Sequence, residues 1–341
     1  MAAVMTEDEM LERKQLLVDA ALQREDEAVL AEGISTARYE YIRPLSAAAE
    51  GVLEAMENSD NRFRLGLAEV DVLTRGFGPK ELICVTGFSH AGKTQLINTA
   101  ILNNVDKRVL FFSMDDPAEM ILLKLVCMSE GISAEEMEHR VRNHDDSAKL
   151  MLRQAASGTL TNLIVIDSSL GLGAMTKAIA EATHYWGEPP DAVVIDYLAS
   201  MAGDGSSDDE DGGVRSKVAG LKRWVKDKPF PTLVVHQQTR SKGGPGQPVT
   251  ITSGAYGGEA EATILIGVRR KRDDEKLDQW ERDQHKDTIT IHVVKNKRPP
   301  ARITHPQGID FRMDPDTGLI RGMSASEHGL RQGIERVTEG E

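Results

Sequence analysis

The clearest chemical signal in the chain is a glycine-bounded segment with the spacing G-x-x-x-x-G-K-[ST], a pattern that binds nucleotide phosphates. Its residues are Gly87-Phe88-Ser89-His90-Ala91-Gly92-Lys93-Thr94. In such a loop the backbone N–H groups face the phosphates, the lysine reaches the β- and γ-phosphates, and the hydroxyl can ligate Mg²⁺. We therefore predict that phosphate groups contact a set of residues in and just after this segment: Gly87, Ser89, His90, Ala91, Gly92, Lys93, Thr94 and Gln95.

A second candidate group is the carboxylate of Asp196, which follows an apolar run at 192–195. An aspartate at the end of a buried strand lies at the carboxyl edge of the sheet, where open α/β folds bind their ligands. The same residue could instead serve only as a helix cap. Because the phosphate-binding segment is also present, we predict a Mg²⁺ site formed by Thr94 and Asp196.

The segments around these residues predict the elements that position them. Runs that are apolar on both faces and alternate with helical stretches indicate a mainly parallel sheet covered on both sides, which is an α/β fold. Strands are predicted at 81–86, 108–113, 162–167, 192–196, 232–236, 263–268 and 288–294, and helices from 94 and at 117–130, 133–155, 173–185 and 214–227. The strand at 288–294 alternates polar and apolar residues, so we expect it at a sheet edge, in antiparallel pairing.

Composition restricts the class of protein and its compartment. The 341-residue chain is 40% hydrophobic, which is enough for one large domain with smaller appendages. Its net charge of −13 argues against a uniformly basic nucleic-acid binder but permits a local basic groove. Cys84 and Cys127 lie in apolar runs, as expected in a reducing compartment, and no apolar stretch approaches about 18 residues. We therefore expect a cytoplasmic protein with no membrane partner.

Three unequal regions follow from the same patterns. Residues 1–60 are rich in Glu, Ala, Leu and Met, and 6–31 has helical spacing, which indicates an arm that packs on a neighbour. Residues 61–322 carry the alternating strand and helix signals and form the predicted core. Residues 323–341 are polar and are expected to be a loosely ordered tail.

Several segments, taken in chain order, resemble the motor domain of replicative helicases of the DnaB type. The run Ile195-Asp196-Tyr197-Leu198-Ala199-Ser200-Met201 is similar to the family's I-D-Y-L-x-x-M. Further similar segments are 65–71, 76–82, 112–116, 166–170, 236–240, 253–262 and 294–298. The resemblance covers about 63–322 and implies a RecA-like P-loop NTPase core with a mainly parallel twisted sheet flanked by helices, preceded here by a short helical N-terminal extension.

The resemblance also implies roles for residues outside the phosphate-binding segment. Asp115 matches the family's catalytic glutamate, which activates water, and Gln237 matches the residue that senses the γ-phosphate. Lys295, with either Lys297 or Arg298, matches a basic pair that reaches the nucleotide of a neighbouring subunit. The implied cofactors are ATP and Mg²⁺, and the implied assembly is a homo-oligomer, a hexameric ring on single-stranded DNA.

Departures from the family pattern leave some assignments open. Asp115 is one methylene shorter than glutamate, so the adjacent Asp116 could take over its role. The segment 204–211 carries five acids where related motors commonly face DNA, and five acids there would repel phosphates. The basic residues expected to contact DNA instead follow that segment or lie in the next glycine-rich loop: Arg215, Lys217, Arg240 and Lys242.

Three functions remain compatible with these residues. The first is a ring-forming, ATP-driven helicase or translocase acting in replication or recombination, and a compact chain of this kind is consistent with a bacterial or phage-infected cell. The second is a RecA-like recombinase or mediator that forms a filament. The third is a DNA nuclease built on the same core, with a metal ion held by some of the acids Asp115, Asp116, Asp208, Asp209, Glu210, Asp211, Glu259 and Glu261.

Overall fold

The computed structural model describes residues 45–198, 201, 210–238, 244–250 and 261–324, without the side chains of 46–47 and 210–216. The chain divides into two compact units, Met1–Met56 and Glu57–Glu341. In the described part of the first unit, helix α1 (Ala49–Glu57) begins and has no buried residues. Most of the predicted arm and almost all of the predicted tail lie outside the described residues, so both stay predictions.

The second unit is built on one sheet whose strands alternate with helices. The helices that follow α1 are α2 (Ala68–Thr74), α3 (Lys93–Leu102), α4 (Ala118–Glu130), α5 (Ala134–Arg142), α6 (Asp146–Gln154), α7 (Leu172–Trp186), α8 (Glu210–Val225) and α9 (Gln279–Gln284). The strands are β1 (Leu82–Gly87), β2 (Val109–Ser113), β3 (Leu163–Ile166), β4 (Ala192–Asp196), β5 (Thr232–Gln237), β6 (Ile264–Arg269), β7 (Thr288–Asn296), β8 (Ile309–Met313) and β9 (Ile320–Arg321).

The described residues form a nine-stranded sheet in the order β3-β2-β4-β5-β1-β6-β7-β8-β9. The first six strands of that order are parallel, and the last three join it in antiparallel pairing. Every residue of β1, β2, β4 and β6 is buried, as expected for parallel strands with both faces covered. This confirms the α/β class and the mainly parallel sheet predicted from the sequence.

Two apolar layers hold the helices against the sheet. On one face Leu96 of α3 and Leu125 of α4 pack with residues of β1, β2 and β6. On the other face Met175 of α7 and Leu221 of α8 pack with residues of β2, β4 and β5. Both faces of the sheet are therefore covered by helices, and sheets of this kind bind their ligands where the strands end. No helix among the described residues is both long enough and apolar enough to cross a membrane.

Two expectations about elements were wrong. Strand β7 pairs antiparallel as predicted, but it lies between β6 and β8 rather than at the edge. The edge is formed by β8 and β9, which are short and mix charged with apolar residues, so their pattern was missed. The helix predicted at 133–155 is two helices, because Asn143 ends α5 and His144 turns the backbone with a φ of 61° before Asp145 caps α6.

Candidate functional site

The phosphate-binding segment occupies the turn between β1 and α3, at the carboxyl edge of the parallel strands. Gly92 is the N-cap of α3 with a φ of 99°, a conformation that side chains rarely adopt, and a Cβ there would lie 2.6 Å from Ile289 Cδ1. A Cβ on Gly87 would lie 2.4 Å from the carbonyl oxygen of Val268. Gly87 is therefore required by its close contact with backbone and Gly92 by its φ, and the N-terminus of α3 is left facing the loop.

Two features of this loop bear on its charge and shape. Lys93 Nζ donates to the carbonyl oxygens of Gly87 at 3.1 Å and Phe88 at 2.6 Å, which folds the lysine over the loop. Burial lowers the pKa of Lys93 to about 8, although the charge of Asp196 acts in the opposite direction. His90 stands exposed in the loop with a φ of 60°, and Ser89 beside it is also exposed.

Thr94 and Asp196, separated by 102 positions in the chain, meet directly. The Thr94 hydroxyl Oγ1 donates to Asp196 Oδ2 at 2.9 Å. Burial raises the pKa of Asp196, which is only 7% exposed, while the Thr94 hydrogen bond and the Lys93 charge lower it. A hydroxyl and a carboxylate beside a phosphate loop are the oxygen donors that Mg²⁺ uses next to nucleotide phosphates, so the residues present fit this ion.

The two candidate general bases differ in what they contact. Asp116 Oδ2 accepts a hydrogen bond from Lys124 Nζ at 2.6 Å. The Asp116 carboxylate is therefore held in an ion pair with a residue of α4. Asp115 follows the end of β2 and is exposed. Both lie close enough to Asp196 for their charges to raise its pKa. Asp116 is the larger of these two causes, so the position of the carboxylates alone does not select the base, and Asp115 stays the prediction from the family pattern, with Asp116 engaged by Lys124.

We expect Asp115→Asn to slow ATP hydrolysis by about 10²-fold or more, the usual effect of losing a general base, with nucleotide binding retained. The matched control is Asp116→Asn, which removes an ion pair whose side chains are each about one-third exposed and should change turnover little. Steady-state ATPase rates and the binding of a fluorescent nucleotide measure both effects. An inactive Asp116→Asn beside an active Asp115→Asn would transfer the role to Asp116.

Gln237 ends β5 directly beside the start of the phosphate loop. It is the Cα partner of Gly87 in the β1–β5 pairing and is exposed, while the N–H of Gln238 donates to Gly87 O at 3.0 Å. The preceding His236 is buried, and burial together with the charge of Lys93 lowers its pKa to about 4. His236 is therefore neutral at physiological pH, and it does not add a second positive charge next to Lys93.

The predicted finger residues lie at the opposite edge of the sheet. In the antiparallel pairing of β6 with β7, Lys295 is the Cα partner of Leu265, near the start of β6. The N–H of Lys297 donates to Thr263 O at 3.0 Å, just before β6 begins. Because β6 is parallel to β1, these positions lie at the amino edge, whereas the phosphate loop follows the carboxyl end of β1.

The structure does not support Arg298 as a group that reaches a neighbouring subunit. Its Nε lies 3.0 Å from Glu81 Oε1, with the two side chains only 15% and 14% exposed. Its Nη2 donates to the carbonyl oxygens of Thr74 and Gly76. Arg298 therefore ties the end of β7 to the segment that leads into β1, a role that the basic run in the sequence does not reveal.

We expect Arg298→Met to lower the free energy of unfolding by about 3 kcal/mol, since removing one partner of a buried ion pair strands the other charge. Burial already raises the pKa of Glu81, and the charge of Arg298 opposes that rise. Urea denaturation of Arg298→Met, Glu81→Gln and the double variant measures the coupling. If the double variant loses as much free energy of unfolding as the two single variants lose together, the two side chains are not coupled, and the ion pair is contradicted.

The residues predicted to contact DNA are mostly outside the described part of the chain. Lys217 is partly buried on α8, while Arg240, Lys242 and the side chain of Arg215 are not described. Of the acidic segment 204–211, only the backbone at 210–211 is described, as the start of α8. Among the described residues, no group of three or more His, Cys, Asp or Glu side chains could hold a metal ion.

Comparison with known proteins agrees with this geometry. Residues 63–304 match the model of the DnaB-like helicase C-terminal domain. The chain is 28% identical over 181 residues to "Replicative DNA helicase DnaC" of Bacillus subtilis, covering 51% of this chain and 39% of that protein. It is 26% identical over 198 residues to "Replicative DNA helicase DnaB" of Geobacillus stearothermophilus, covering 55% and 43%. The matched regions thus span about two fifths of these relatives.

Solved structures show the same fold at low sequence identity. One solved ATPase domain superposes with a TM-score of 0.67 at 16% identity, over 83% of this chain and 100% of that one. A structure titled "The Structure Of A DnaB-Like Replicative Helicase And Its Interactions With Primase" gives 0.66 at 15% identity, over 93% and 77%. Since the family model matches more than half of the sequence, the chain belongs to the family of DnaB-like helicase C-terminal domains.

Proposed function

We propose that this protein is an ATP-driven motor that assembles into a homo-hexameric ring and translocates on single-stranded DNA as a replicative helicase. The observation that carries the proposal is the division of the site between opposite edges of the sheet. The phosphate loop, Asp196 and Gln237 lie at the carboxyl edge, whereas Lys295 and Lys297 lie at the amino edge. Each chain therefore carries the nucleotide-binding half of a site at the carboxyl edge of its sheet and the lysine half at the amino edge.

Distance explains why the two halves must come from different copies. In the sheet register Lys295 is level with Leu265 and Cys84, three residues before Gly87, which is about 10 Å along the strands, and β7 lies two strands from β1, which is about 10 Å across the sheet. A lysine side chain reaches only about 6 Å, so Lys295 cannot contact the nucleotide of its own subunit. A head-to-tail ring places the amino edge of one copy against the carboxyl edge of the next and completes every site at once. The predicted arm at 1–60 would add contact with the neighbour.

Within one site, the chain's own residues have separable tasks. Lys93 and the N–H groups at the start of α3 bind the phosphates, and Thr94 and Asp196 would hold Mg²⁺, which neutralises phosphate charge when bound. Asp115 would accept a proton from the attacking water. Gln237, paired with Gly87, would register whether the γ-phosphate is present and pass that state to the chain that follows β5.

The names of the relatives place them in replication, and we extend that role to this chain in the cytoplasm of a bacterial or phage-infected cell. We assign contact with the DNA backbone to Arg215, Lys217, Arg240 and Lys242, because they come after β4 and β5 in the sequence and both strands end at the carboxyl edge of the sheet. Coupling between nucleotide and DNA would then run through the end of β5.

The test is strand displacement on a forked DNA duplex carrying a fluorophore and a quencher. We expect unwinding with ATP and Mg²⁺, none with a non-hydrolysable analogue, and ring-shaped particles by electron microscopy. Strand cleavage in place of displacement would establish the nuclease alternative, and ATP-dependent filaments on DNA would establish the recombinase alternative. If DNA does not change the ATPase rate and no strand is displaced, the protein is not a DNA motor.

A further inference from the structure

A third lysine lies next to the two that we assign to the neighbouring site. Lys222 is near the end of α8, and its Nζ donates to Thr263 Oγ1 at 3.4 Å. The carbonyl oxygen of the same threonine accepts the N–H of Lys297 at 3.0 Å. Thr263 thus connects α8 to the end of β7 and brings Lys222 to the amino edge of the sheet, beside Lys295 and Lys297.

The three ammonium groups repel one another at this edge. Burial lowers the pKa of Lys295, and the charges of Lys297 and Lys222 lower it further. Burial likewise lowers the pKa of Lys222, with Lys297 as the next cause. Glu261 acts in the opposite direction on both lysines and Glu81 does so on Lys222, whereas Lys226 adds a further positive charge near Lys222.

Partly buried like charges destabilise a folded chain, and an anion that binds between them relieves the repulsion. The flexible side chain of Lys222 could extend in other directions from α8. It is nevertheless held by a hydrogen bond to Thr263, close to two other cations. Such an arrangement suits a polyanion that arrives from outside the subunit. The phosphates of a nucleotide held by the next copy in the ring are a polyanion of this kind.

We propose that Lys222, Lys295 and Lys297 form one anion-binding site for the terminal phosphates of a nucleoside triphosphate bound to a neighbouring copy, with Lys222 as its third member. The proposal rests on the ring proposed above and extends it to a residue on a different element. Thr263 is the positioning residue of this site, since its hydroxyl and carbonyl groups fix Lys222 and Lys297 relative to each other.

The test compares Lys222→Met, Lys222→Arg and the control Lys177→Met, which removes a charge from an exposed lysine on α7. We expect Lys222→Met to lower ATP turnover at least about tenfold, a smaller loss than the roughly 10³–10⁵-fold of an essential trans cation, because Lys295 and Lys297 remain. Lys222→Arg should retain most of the activity, and Lys177→Met should match wild type. The melting temperature of nucleotide-free Lys222→Met should equal or exceed that of wild type, because a repulsive charge has been removed.

Mixing subunits separates this inference from the ring proposal. Lys222→Met chains have an intact phosphate loop, so Lys93→Ala chains, which keep all three lysines, should restore turnover in mixed assemblies. If wild type forms no assembly or hydrolyses no ATP, the ring proposal fails. If wild type is active and Lys222→Met matches it, only the present inference fails. A lower melting temperature without rescue by arginine would show that Lys222 is structural and would also overturn it.

Discussion

Replacing Lys93 with alanine should abolish ATP turnover, reducing the rate by at least about 10³-fold, because this lysine is the cation aimed at the β- and γ-phosphates. Its position at the N-terminus of α3, beside the Thr94–Asp196 pair, puts it where those phosphates would lie. A phosphate-release assay at saturating ATP measures the loss, and nucleotide titration shows how much of it comes from binding.

The fold should survive this change. The hydrogen bonds of Lys93 go to the carbonyl oxygens of its own loop, and burial lowers its pKa, so the charged side chain contributes little to the stability of the nucleotide-free protein. Lys149→Ala, which removes a half-buried lysine paired with Asp146 on α6, is the matched control and should leave turnover unchanged. Wild-type hydrolysis by a folded Lys93→Ala protein would contradict the assignment of the loop.

The nucleotide half of the site could be predicted because its determinants are local. A phosphate loop requires a strand, two glycines and a helix start within a short segment, and each of these leaves a pattern in the sequence. Asp196 is distant in the chain, but the ends of buried parallel strands meet at one edge, so its contact with Thr94 follows from the topology alone. The sequence leaves Asp115 and Asp116 open as the general base, and the ion pair that engages Asp116 with Lys124 is visible only in the folded chain.

The half of the site at the amino edge could not be predicted, because it depends on pairing between segments that are distant in the sequence. The basic run at 295–298 does not show which of its side chains is used inside the subunit. Arg298 is engaged by Glu81, more than 200 positions earlier, while Lys295 and Lys297 remain beside Thr263 and Lys222. The strands β8 and β9 were missed for a related reason, since they pair only with β7 and with each other.

Lys295→Ala should reduce ATP turnover by about 10³-fold while leaving nucleotide binding almost unchanged, the effect expected when a cation supplied in trans is lost. The residue is level with Cys84, three residues before Gly87, and lies two strands away from β1, so its removal leaves the phosphate loop of its own subunit intact. Equal mixtures with Lys93→Ala subunits should recover activity. In a randomly mixed head-to-tail ring, about a quarter of the interfaces pair an intact loop with an intact lysine.

This recovery distinguishes a shared site from a structural effect of the substitution. If Lys295 acted only within its own chain, the site of every chain would contain one defect whichever neighbour it had, and the mixture would show only the sum of two inactive preparations. Native mass spectrometry of tagged subunits establishes whether the chains exchange. Exchange without recovery, for both Lys295→Ala and Lys297→Ala, would mean that the amino edge does not complete a neighbour's site, and the division of the site between opposite edges of the sheet would need another explanation.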